Sequence, residues 1–293
     1  MEYIIENEFL RAAVSTHGGE LVSVIDRETG AEMIWQADPG VWDRHAPILF
    51  PHCGKVRGGA FTHDGVTYQS SQHGFARDME HTLEKKQSDR VTLCLEANAL
   101  TMEKFPFAFK MLTTFSLEGR TVRHTVEIFN DDDDVMPFGL GYHPGFNCPF
   151  DENHVPEDYE LRFDAPQTPV VIETGSKTGL VTGRQYEYFQ NGTSIPVTGE
   201  LFAVDSTCFS QLTAKTFSLV EKDSGRRVTV DIEGFPYVLI WSAHGPVKFV
   251  CIEPWHSLPD TEDAPEEWTE KPQLMRLAPG ETWSASLAMT FER

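Results

Sequence analysis

Positive charge is scarce in this sequence: 24 lysines and arginines stand against 45 aspartates and glutamates, giving a formal charge of −21 over 293 residues. Such a chain has little with which to neutralise phosphate, so nucleic acid and anionic membrane surfaces are excluded as partners. The same balance favours a neutral small molecule over a phosphorylated one. Cysteine is sparse as well. Cys53, Cys94, Cys148, Cys208 and Cys251 are odd in number, and none sits in a CxxC pair. Neither a disulfide framework nor a zinc site is indicated. Long apolar runs are missing: no stretch approaches the roughly 18 residues that a membrane span requires. The N-terminal segment MEYIIENEFLRAAV lacks the basic and apolar regions of a signal peptide. These absences predict a soluble, cytoplasmic protein. Also missing are HExxH, GxSxG, the P-loop and GxGxxG.

What the sequence does hold is strand-forming material. Hydrophobic residues make up 40% and phenylalanine alone contributes 20 positions, which suits pleated, half-buried strands. Short alternating segments broken by turn residues recur throughout. LVSVIDRETGAEMIW reads as strand, turn and strand, bending at Asp26 to Gly30. GGAFTHDGVTYQ places Asp64-Gly65 at a hairpin tip. KMLTTFSLEGRTVRHTVEIFN turns at Glu118-Gly119-Arg120, and TFSLVEKDSGRRVTVDI at Asp223-Ser224-Gly225. Helical signals are few: one or two turns in 98–105 before Pro106, and a short helix in 262–270 with a proline near its start. The acidic run at 130–134 reads as a solvated loop. With no linker and no internal repeat, the chain is expected to be all-β: a large antiparallel β-sandwich forming one domain over 1–293.

Three segments place an ionisable residue among glycine, proline and aromatics: SQHGFAR (71–77), GLGYHPGF (139–146) and FVCIEPWHS (249–257). His143 and Glu253 each precede a proline, which pushes their backbone toward the extended region. Both side chains are therefore expected to project from strand ends with a fixed aim, as a proton-transfer group requires. His73 has Ser71 and Gln72 beside it as partners for its ring. Trp255 and Phe146 are candidates to stack on a sugar face. Taken singly, each of these residues also suits a purely structural role. Asp205 is the one obvious carboxylate partner for Glu253 if glycoside hydrolysis were the chemistry.

Together and in this order, HGFAR, GYHPGF and CIEPW resemble the aldose 1-epimerase, or galactose mutarotase-like, family, especially its smaller bacterial members. The resemblance runs from His17-Gly18-Gly19-Glu20 to the closing APGETW. It implies a β-supersandwich, interconversion of the α and β anomers of a free aldose, and no cofactor or metal. It also implies roles. Glu253 resembles the general base at the anomeric hydroxyl, His143 the general acid at the ring oxygen, and His73 the histidine that positions the sugar. Lys55 stands where larger members carry a substrate-binding arginine, and lysine offers a point charge rather than a planar fork. Asp205 falls near a hydroxyl-holding aspartate, and Arg77 near the site, anchoring a carboxylate or touching substrate. A hydrophobic wall at Trp255 is expected to raise the pKa of Glu253. Two rivals remain open. One is a hexose-6-phosphate epimerase, for which Lys55, Arg57 and Arg77 would form the basic cluster. The other is a carbohydrate-binding or sensing protein without catalysis.

Overall fold

The computed structural model describes residues 1–293. Two large antiparallel sheets dominate it. A nine-stranded sheet runs, in spatial order, from Gly192–Pro196 through Tyr159–Gln167, Thr216–Glu221, Arg227–Asp231, Thr282–Glu292, Thr121–Asn130, Phe109–Glu118 and Arg90–Glu96 to Thr82–Lys86. An eight-stranded sheet has Tyr237–Trp241 and Phe249–Trp255 at its centre. The N-terminal strands Glu2–Glu6, Leu10–Ser15 and Glu20–Asp26 form a third, smaller sheet. No helix is long and apolar enough to cross a membrane.

Alternation along single strands explains the layers. In Thr121–Asn130 every second residue is buried, so Val122, His124, Val126 and Ile128 face inward and the residues between them outward. The inward faces meet in one cluster of 59 buried residues reaching from Ile5 to Phe291. Phenylalanines fill it: the Phe50 ring lies edge to face with Phe105 at 5.8 Å and tilted against Phe109 at 5.0 Å.

The hairpin at Asp64-Gly65 forms as expected, with His63 opposite Val66 and positive φ at both tip residues, 50° and 77°. The Gly119-Arg120 turn also forms, pairing Glu118 with Thr121. The bend at Asp26 to Gly30 forms too, with Gly30 N donating to Asp26 O, Asp26 N to Ala31 O and Met33 N to Val24 O. The returning chain makes only bridges, Ile25 to Glu32 and then Ile34 to Phe146, in place of a full strand. One expectation fails. The short helix at 262–270 is reduced to one 3₁₀ turn, Trp268–Glu270. There, the backbone of Thr62 pairs with Glu266 and Glu267, while the buried Trp268 indole donates to Pro137 O. Tertiary partners therefore extend a segment whose local sequence favours a helix. In the other helical segment Asn98 caps a single turn, Ala99–Met102.

Four histidines outside the site described below, His52, His81 and His124 buried and His256 half-buried, are held neutral. Burial pushes His52 and His124 down to about 3, and His81 and His256 down to about 4. In the unfolded chain they titrate near the ordinary value of about 6.5. Between those limits the unfolded state binds more protons, so stability falls as pH drops. Each histidine removes about 1.4 kcal/mol per pH unit within that window. Urea unfolding at pH 5 should show a much lower midpoint than at pH 7, and equal midpoints would contradict this. Because the main core joins both termini, we propose that residues 1–293 unfold as one unit. Fluorescence and circular dichroism should then give coincident transitions.

Candidate active site

The strand Phe249–Trp255 carries the centre of the site. Its even positions, Val250 and Ile252, enter the main core, while Cys251, Glu253 and Trp255 face the other way. On one flank Leu239 is the cross-strand partner of Glu253, and Cys208 that of Leu239. On the other flank Gly141 pairs with Trp255 and Gly145 with Cys251. Both pairs share one register, which sets His143 opposite Glu253. The ladder lapses at His143-Pro144 and Pro254, and neither proline has an N–H that the lapse would leave unpaired. His143 thus sits at a strand end as expected. Glu253 does not: it lies inside a central strand, where Pro254 is tolerated because the neighbouring ladder is interrupted.

The register brings His143 Nε2 to 3.2 Å from Glu253 Oε2. Both groups are buried, at 7% and 1% exposure. Burial pushes His143 down to about 3, with the Arg77 guanidinium adding to the effect. Burial pushes the Glu253 carboxyl well above its usual range, and the Asp205 charge adds to that shift. The Trp255 indole acts in the opposite direction, favouring the carboxylate from short of hydrogen-bonding geometry. The rise itself is in the expected direction, and its main cause is the exclusion of water. Without sugar the pair prefers both partners neutral.

His73 reaches the pair from a loop in the left-handed region, with φ 67° at His73 and 71° at Gly74. Such a conformation in a non-glycine residue is uncommon and costly. Phe50 O holds the loop by accepting from the amides of Phe75 and Ala76. A Cβ on Gly74 would collide with that same carbonyl oxygen. The Gly54 amide donates to His73 Nδ1 at 3.0 Å, which leaves the ring proton of the neutral tautomer on Nε2. Gln72 approaches that nitrogen at 3.2 Å, whereas Ser71 donates to Gly74 O instead of to the ring. The His73 ring stands edge-on to His143 and Trp255, both at 5.6 Å between centroids. Burial and the neighbouring His143 keep His73 well below the ordinary histidine value.

A cleft of about 510 Å³ opens over these groups, within the usual size range of small-ligand sites. His73, His143, Glu253, Lys55, Arg77, Asp205 and Trp255 all line it. Asp205, at φ 75°, accepts from the Trp241 indole at 2.9 Å. Arg77 anchors no carboxylate; it donates to Gln72 O at 2.7 Å and so braces the His73 loop. Burial and Arg44 pull its guanidinium down to about 10. Two expected residues lie elsewhere. Phe146 faces away from the cleft, wholly inside the core, because it is three residues from His143 in an alternating stretch. Arg57 pairs with Glu266 at 3.6 Å and does not line the cleft.

Residues 1–290 match the family model described as aldose 1-epimerase. The chain belongs to this family. Among its relatives, Protein LacX of Lactococcus lactis is 30% identical over 299 residues, covering 98% of each chain. A galactose mutarotase related enzyme of Lactobacillus acidophilus superposes with a TM-score of 0.95 at 31% identity, over 100% of this chain and 98% of the other. A galactose mutarotase-like protein of Lactobacillus casei gives 0.92 at 30% identity over 100% of both chains. The fold is accordingly galactose mutarotase-like, and the protein is an isomerase of the sugar epimerase class.

Several groups in the cleft of this epimerase carry no signal in the sequence. Trp42 stacks on the His143 ring at 5.0 Å, and Trp241 stands edge-on to it at 5.6 Å. Arg44 also lines the cleft and binds Asp78 at 2.7 Å. Glu20, in the HGGE segment, accepts from the amides of His45 and Ala46 and so fixes the loop that brings Trp42 and Arg44 in. Gly74→Ala is expected to lower stability by about 2 kcal/mol or more, through left-handed strain and the collision with Phe50. Its epimerase activity should fall along with stability in denaturant titrations and polarimetry. A fully stable, fully active variant would show that the His73 loop is not held this way.

Proposed function

We propose that this protein interconverts the α and β anomers of an unphosphorylated hexose through ring opening, with Glu253 and His143 as the proton-transfer pair. The observation that carries the reading is their direct 3.2 Å contact at the base of the cleft. Opening a cyclic hemiacetal removes the proton from the anomeric hydroxyl, breaks the bond between C1 and the ring oxygen, and protonates that oxygen. Glu253 takes the first proton and His143 delivers the second. Rotation about C1–C2 presents the other face of the aldehyde, and closure returns both protons by the reverse steps.

The opposed shifts suit this chemistry. A carboxylate whose pKa is raised is a stronger base, and an imidazolium whose pKa is depressed is a stronger acid. The reactive imidazolium–carboxylate arrangement differs from the neutral pair by one proton moved between groups already in contact. His73, with its proton on Nε2, donates to a sugar oxygen and orients the ring. Lys55, Arg77 and Asp205 hold hydroxyls around it, and Trp255 walls the cleft beside Glu253. Arg57 lies outside the cleft on Glu266, and Arg44, which stands in the cleft with Lys55 and Arg77, is already paired with Asp78. A binding protein without catalysis would not require an acid and a base in contact.

Polarimetry on freshly dissolved α-galactose and α-glucose tests the reading. The wild-type protein should accelerate mutarotation. Glu253→Gln and His143→Ala should each lower kcat by about 10²-fold or more. Sugar binding without acceleration would sink the proposal, and acceleration confined to glucose 6-phosphate would reassign the substrate.

A further inference from the structure

Cys251 is a buried thiol that this epimerisation does not use, and it lies two residues before Glu253 on the same face of the strand. A ring nitrogen of His143, Sγ of Cys251 and a carboxylate oxygen of Glu253 all fall within 4.8 Å of one another. We propose that these three side chains bind a borderline or soft divalent cation, zinc or cadmium, and that the bound cation blocks the sugar site.

The donor set selects the metal. One imidazole nitrogen, one sulfur and one carboxylate oxygen suit zinc, with a fourth position left toward the cleft. Magnesium and calcium require more oxygen ligands than a single carboxylate supplies. All three side chains are buried, at 7%, 0% and 1% exposure, so they are not a solvated acidic patch. His143 also retains a buried Nδ1 with no partner. The other cluster of comparable composition, Asp151, His154 and Glu221, is already occupied: the Arg226 guanidinium lies 2.5 Å from Asp151 and 2.6 Å from Glu221.

Binding replaces the Cys251 S–H bond with a metal–sulfur bond and the Glu253 carboxyl O–H bond with a metal–oxygen bond, and releases both protons to solvent; no electron moves. Once the metal holds lone pairs of His143 and Glu253, neither can transfer a proton to sugar. The blocking rests on the acid–base reading above, whereas the binding does not.

Protein stripped with EDTA and dialysed should bind one zinc ion and lose mutarotase activity, and fresh EDTA should restore it. Cobalt in place of zinc should give intense visible bands of a tetrahedral site and a thiolate charge-transfer band. Cys251→Ser should weaken zinc binding at least tenfold while turning over sugar without metal at the wild-type rate. His154→Gln should bind zinc as wild type does. Three results overturn the proposal: unchanged zinc binding in Cys251→Ser, loss of binding in His154→Gln, or mutarotation unaffected by saturating zinc. If Cys251→Ser does not fold, the wild-type cobalt spectrum still decides, since a missing thiolate band refutes the site. A protein that binds zinc through Cys251 but accelerates no mutarotation would overturn the acid–base reading and leave the metal site standing.

Discussion

One register across three strands carries the site. Leu239, Glu253 and His143 stand side by side because Gly141 opposite Trp255 and Gly145 opposite Cys251 obey the same pairing. A slip of one residue would turn Glu253 into the main core and bring Ile252 to the cleft. Register is strongly specified here because the opposite face of the same strand packs against the body of the protein. The hydrophobic core therefore fixes the aim of the carboxylate, although it never touches a ligand. Glycines at 141 and 145 let the flanking chain approach: a Cβ at the first would press on Trp255 and Cys53, and at the second on Trp42.

Burial exacts the same cost throughout the chain. Glu253 is pushed toward its neutral acid, and the histidines of the site and of the core toward neutral bases. In the cleft this leaves a neutral carboxyl and a neutral imidazole in contact. In the core it leaves the fold sensitive to acid, because unfolding lets each histidine take up a proton. Arg77 is the counter-example. The charges of Asp78, Glu20 and Asp43 offset part of its burial, and its field helps keep His143 neutral.

Local chemistry made much of the architecture readable. Asp64-Gly65 and Gly119-Arg120 announced hairpins because a two-residue turn has its own backbone demands, which glycine and aspartate satisfy without outside help. The segment 262–270 was misleading for the converse reason. Its helical propensity is worth little, and a β-bridge to Thr62 together with the burial of Trp268 outweighs it. Phe146 stood near His143 in sequence but lies on the opposite side of the sheet. Proximity along a strand says nothing about facing unless parity is counted.

The sequence by itself determined the fold class, most turns, and the three segments that supply His73, His143 and Glu253, because those properties depend on neighbours in the chain. Only the tertiary structure decided which side chains meet. The 3.2 Å contact links residues 110 positions apart, and the loop bearing Trp42 and Arg44 is brought in by Glu20. The sign of each pKa shift is likewise a tertiary property, since it depends on how much water the surrounding strands exclude and which charges they leave nearby.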